Sequence, residues 1–149
     1  MTTKRFAGTV AATFIVSQIL AVLVHGFILA ADYAPFYGTL LRPMQQGGGG
    51  AWQMLLLPVS HLLFVWALVW VYTRIELEGS PMVRGAKIGV LGFMIGQAPH
   101  WLLWYAEQPW PDALVGKQLV LELISALIIG VTIALTAGVT ATVRRPLAA

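Results

Sequence analysis

The chain is 149 residues long, 58% apolar and only 10% charged, with a mean hydropathy of +0.80. Soluble domains carry about 25% charged residues because their surface faces water, so six acidic and nine basic side chains exclude a water-soluble globule and make lipid the expected solvent. The lack of cysteine excludes disulfides, a thiol nucleophile, Cys-ligated zinc, iron–sulfur clusters and covalent c-type haem, and a net charge of only +3, split into small groups between apolar runs, argues against nucleic acid.

A membrane helix needs about 20 mostly apolar residues. Four stretches meet that length: 7–31, 52–72, 85–105 and 114–139. The expectation is one all-α transmembrane domain over 1–149, an antiparallel four-helix bundle. The first stretch is longer than the h-region of a secretory signal, so it is expected to stay as a span. Between spans one and two, 32–50 is aromatic and ends in Gly47–Gly50. Tyr33–Met44 is expected to lie in the interface or fold back over the bundle, with the glycines as a flexible return. The turn at 73–84 is short and polar, which makes its two helices antiparallel neighbours. The last connection, Glu107 to Asp112, is a proline-rich turn.

Lys4, Arg5, Arg74, Arg84, Lys87, Arg144 and Arg145 fall on the side of the termini. Only Arg42 and Lys117 fall on the other. Basic residues stay cytoplasmic, so both termini are expected inside. Tyr33, Tyr37, Trp52, Trp101, Trp104, Tyr105 and Trp110 then mark the outer boundary, and Trp70 and Tyr72 the inner one, as aromatic belts do.

All three histidines, His25, His61 and His100, lie inside spans, as does one carboxylate, Glu122. Counting inward from the outer boundary at 1.5 Å per residue gives depths of about 9, 14, 8 and 12 Å. Each helix thus brings one titratable group to one layer. Helix-face spacing groups Ala11, Gln18 and His25; Gly89, Gly92, Gly96 and His100; and Gln118, Glu122 and Ser125. Polar stripes turn away from lipid. Pro58 near His61 and Pro99 beside His100 each remove a helix hydrogen bond, and the two kinks suggest a locally opened pocket.

Several chemistries fit such a layer. Imidazole and carboxylate ligate zinc, copper or iron, so His25, His61, His100 and Glu122 form a candidate metal set. Gln97 and Gln118 would orient the ligands. A b-type haem between His25 and His100 would use the room beside Gly26, Gly92 and Gly96. Proton or small-solute handling needs only His and Glu near the midplane. The same residues can also serve simply as interhelical ties, as in an accessory subunit of a larger membrane complex. Ala126, Gly130, Ala134 and Ala137 offer a small face for close helix approach, and association with itself or a larger complex is expected. No GxSxG, Walker loop or dinucleotide fingerprint occurs, so the motifs assign no catalytic role.

His25-Gly26, Tyr37 and Arg42-Pro43-Met44 carry a resemblance over about a third of the chain to uncharacterised small four-helix bacterial membrane proteins. That resemblance implies the same architecture and a bacterial inner membrane, and carries no activity with it.

Overall fold

The computed structural model describes residues 1–41 and 50–138, with side chains in the second stretch described from 55 onward. The described chain is helical, with an isolated bridge, Tyr37 to Leu41, in the outer turn.

Helix α1 (Thr3–Ala21) begins where the Thr2 hydroxyl accepts from the Arg5 amide, satisfying one of the free N–H groups at a helix start. It runs on as a π-helical stretch, Val22–Ile28. At Leu29 the helix stops and the chain turns into a four-residue helix, α2 (Ala30–Tyr33), and then a 3₁₀ turn, Ala34–Phe36. Helix α3 (Gly50–Tyr72) continues unbroken through Pro58. Helix α4 (Pro81–Gly92) opens with Ser80 as cap and Pro81 as its first residue, a pairing that suits a helix start because proline has no N–H to leave unsatisfied. A second π-helical stretch, Phe93–Gln97, joins α4 directly to α5 (Ala98–Glu107). Pro99 falls in the first turn of α5, where the extra residue of the π turn accommodates the missing N–H. Helix α6 (Asp112–Ala137) ends on Gly138 in the left-handed conformation, φ +53°, the usual stop for a helix.

Three of these helical runs are long and apolar enough to cross a membrane: Thr3–Ile28, Leu55–Tyr72 and Asp112–Ala137. The fourth expected span, 85–105, lies in the continuous run Pro81–Glu107 but is not among them. Lys87, Gln97, Pro99 and His100 dilute its apolar residues. The outward faces carry large apolar side chains, among them Ile15, Phe27, Leu63, Ile95, Leu103 and Leu135, as suits a chain whose solvent is hydrocarbon.

Inside, packing is set by small residues. A Cβ on Gly85 would lie 2.5 Å from the Val131 Cα, and one on Gly89 2.8 Å from the Leu127 Cα. Gly130 closes the same seam from α6, its Cβ position taken by the Gly85 carbonyl. Backbone therefore meets backbone, and α4 and α6 run antiparallel. Gly92 and Gly96 serve a different neighbour, for Leu68 and Phe64 of α3 lie against them. Helix α1 is also antiparallel to α6: the Arg5 guanidinium sits over Gly138 at one end, and Asp32 reaches Lys117 at the other.

Two apolar clusters result. One, at the end of the bundle where α1 begins and here termed inner, joins Val10, Val65, Leu68, Val69, Ile88, Ile129, Ile133 and Ala137. The other, at the opposite end and termed outer, joins Val24, Leu29, Tyr33, Trp110, Leu114 and Val115, with Phe36, Leu40 and Leu41 against it. The expected fold-back of the outer segment thus holds for 33–41, while 42–44 and Gly47–Gly49 lie outside the described residues, as do Arg144 and Arg145. Several placements differ from expectation, Tyr33 and Tyr72 among them, which are buried and not at an exposed boundary. Trp110, expected at the interface, is 3% exposed, and Arg84, expected in a polar loop, is buried in the first turn of α4. The small face of α6 is spent inside the protomer: Ala126, Gly130, Ala134 and Ala137 are all buried, so it offers no surface for a second copy.

Candidate functional site

The π-helical stretch of α1 carries His25, and the turn at Leu29 folds the chain back far enough for Tyr33 to reach it. The His25 Nδ1 lies 2.8 Å from the Tyr33 hydroxyl, and the Nε2 lies 3.1 Å from Glu122 Oε1 on α6. One turn before Glu122, the Gln118 side-chain amide donates to the same Tyr33 hydroxyl. The Tyr33 hydroxyl thus accepts from Gln118 and bonds to His25 Nδ1, and His25 Nε2 bonds to Glu122, so both imidazole nitrogens are engaged.

Gln118 is fully buried and Tyr33 nearly so, while the His25 and Glu122 side chains are 35% and 14% exposed. The Tyr33 phenol lies beyond the candidate span, and burial, its largest influence, pushes its pKa up to about 12. Next to it Lys117 pairs with both oxygens of Asp32, at 2.8 and 2.9 Å. Three successive links, Asp32–Lys117, Tyr33–Gln118 and His25–Glu122, therefore tie the outer end of α1 and α2 to α6.

The four expected ligands do not converge. His25 and Glu122 meet. His61 on α3 is partly buried and stands within electrostatic reach of both. His100 is exposed, and its ring lies on Trp104 at 4.6 Å. Trp104 in turn stacks on Trp110 at 6.5 Å, and Phe36 covers Trp110 at 5.3 Å. Among the described residues no three His, Asp or Glu side chains come together as a group able to hold a metal ion. A haem between His25 and His100 also lacks support. Both His25 nitrogens are engaged, and the room beside Gly92 and Gly96 is filled by Leu68 and Phe64. Gln97 does not join the network; its buried Oε1 has no hydrogen-bond partner.

Tyr33 is the site residue that sequence reasoning misplaced, as an interface anchor. Its role depends on the break at Leu29, where the Leu29 amide bonds back to the Val24 carbonyl at 2.8 Å and Leu29 itself is fully buried. No glycine or proline announces that break, so the sequence carried no ordinary signal for it.

No protein-family profile, curated protein or solved structure matches the chain. The functional reading rests on the site alone.

Proposed function

We propose that the chain is a small integral membrane protein of four antiparallel rods, with both termini on the cytoplasmic side, in which His25 and Glu122 form a proton-accepting pair in the outer half of the bundle. The 3.1 Å contact between them carries this reading. An imidazole and a carboxylate placed among apolar helices are costly to retain unless paired or used. Here they are paired with each other, partly accessible, and oriented by two further side chains. The run Pro81–Glu107 crosses with its neighbours because its α4 half lies backbone to backbone on α6. The basic residues at the ends favour the cytoplasmic assignment.

The test is proton uptake by vesicles holding the purified protein and a trapped pH-sensitive dye. After an imposed pH step, protein-bearing vesicles are expected to equilibrate faster than empty ones. His25→Ala and Glu122→Gln should each return the rate to that of empty vesicles, while His100→Ala leaves it unchanged. A wild-type rate equal to that of empty vesicles would overturn the proton reading. A Soret band, or stoichiometric zinc, copper or iron in the purified protein, would instead restore the haem or metal expectation.

A second reading is favoured by the row of three links from α1 and α2 to α6. On this reading the network is a latch, and the protein an accessory subunit joined to further copies or to a larger membrane complex. A strictly monomeric mass in both mild detergent and lipid discs would overturn that assembly.

A further inference from the structure

Hydroxyl side chains within these helices follow a common habit. Ser17, Ser60, Thr132 and Thr136 each donate to a carbonyl three or four residues earlier on their own helix, at 2.7–2.8 Å, the usual resting place for such groups in apolar surroundings. Thr9 and Thr13 break the habit. They are 1% and 0% exposed, and neither hydroxyl oxygen has a partner. The buried Tyr72 hydroxyl at the end of α3 and the Gln18 amide nitrogen on α1 share that condition. Tyr72 belongs to the inner cluster together with Val10, the neighbour of Thr9.

These groups are aligned. Thr9, Thr13 and Ser17 succeed one another at one helical turn and are buried together on α1, which packs against both α3 and α6. Successive members are four residues apart, a rise of about 6 Å, which one or two waters with hydrogen bonds of about 2.8 Å span. Buried polar groups without protein partners are the places where structural water binds. Helix α1 also carries Gln18, whose amide nitrogen is buried without a partner, and α6 carries the buried Ser125, three residues from Glu122.

We infer that the bundle interior binds a file of water molecules along Thr9, Thr13 and Ser17, leading from the inner end of α1 toward His25 and Glu122. The water site stands on the unpartnered hydroxyls. Its use as a proton path rests on the proton-accepting reading above: each water accepts a proton on one side and releases another on the other, and the His25–Glu122 pair takes the proton from the file and releases it to water at the opposite end of the bundle.

Water-edited solid-state NMR of the full chain in lipid bilayers tests the site. Magnetisation should pass rapidly from water to Thr9 and Thr13, and slowly to Thr132 and Thr136. Exchanging Thr9 and Thr13 for valine keeps the side-chain shape and removes the hydroxyls; where the double variant fails to fold, Thr13→Val alone gives the same comparison. Proton uptake by the valine variant should slow toward the empty-vesicle rate. Dry Thr9 and Thr13 would overturn the water file whatever the vesicles do. Wet threonines with unaltered uptake in the valine variant would overturn its role as a path. Wet threonines in a wild-type protein that takes up no protons would uphold the water site and count against the proton-accepting reading alone.

Discussion

Tyr33 holds the site together, because one hydroxyl accepts from Gln118 and bonds to His25. Tyr33→Phe keeps the ring but leaves a buried amide hydrogen and an imidazole nitrogen unmatched, at a cost of about 1–3 kcal/mol. The loss should appear as a lower unfolding midpoint in mild detergent, and an unchanged midpoint would remove Tyr33 from the network. Its phenol also sets an alkaline limit. The folded pKa of about 12 lies above the ordinary value near 10. Folding therefore favours the neutral form, and the stability tied to it is complete below about pH 10 and lost as pH rises from about 10 to 12. The Tyr33 share of the phenolate absorbance, taken as the difference between wild type and Tyr33→Phe, should emerge near pH 12. At this scale His25, Glu122 and Gln118 were legible, since polar residues at helical spacing within an apolar run stand out. His61 comes within electrostatic reach of the pair, whereas His100 faces away from it onto Trp104. Depth follows from counting residues, whereas facing changes at the π turns 22–28 and 93–97, which the regular 3.6-residue period does not anticipate.

Among the elements, the closest packing is the seam of Gly85, Gly89 and Gly130 between α4 and α6. Gly89→Ala puts a methyl group against the Ala126 carbonyl and the Leu127 Cα, where only backbone could yield. Overpacking of this kind costs about 1–3 kcal/mol. Gly8 and Gly116 have open space around a Cβ, so alanine there should be neutral or stabilising by up to about 1 kcal/mol through helix propensity. Thermal unfolding of the three variants side by side checks the contrast, and equal effects would contradict the seam. The Asp32–Lys117 link is different in kind, since its side chains are 31% and 54% exposed. Exposed ion pairs contribute about 0–1 kcal/mol, so Lys117→Met should barely move the midpoint. The glycine stripe on α4 and its continuation was visible in the sequence as a packing face. Its division between α6, at Gly89, and α3, at Gly92 and Gly96, was not, because that depends on which neighbour each turn of the helix meets.

For the whole molecule, the apolar composition and the basic residues at the ends made a helical membrane bundle legible before any coordinates. The run Pro81–Glu107 is not among the three candidate spans by composition, yet its α4 half lies backbone to backbone on α6. Single cysteines at positions 3, 46, 78 and 147 test the topology: cytoplasmic reagent should label 3, 78 and 147, and labelling of 46 from that side alone would reverse the orientation. The meeting of His25 and Glu122 depends on both site and fold, because it requires α1 and α6 to lie antiparallel in this register within a bilayer. The most direct measurement is the dipolar coupling between the Glu122 carboxyl carbon and the His25 Nε2 nitrogen, by solid-state NMR of the labelled protein in lipid. A strong coupling, in keeping with the 3.1 Å contact, is the expected result. No measurable coupling would contradict the pairing and the proton-accepting site built on it.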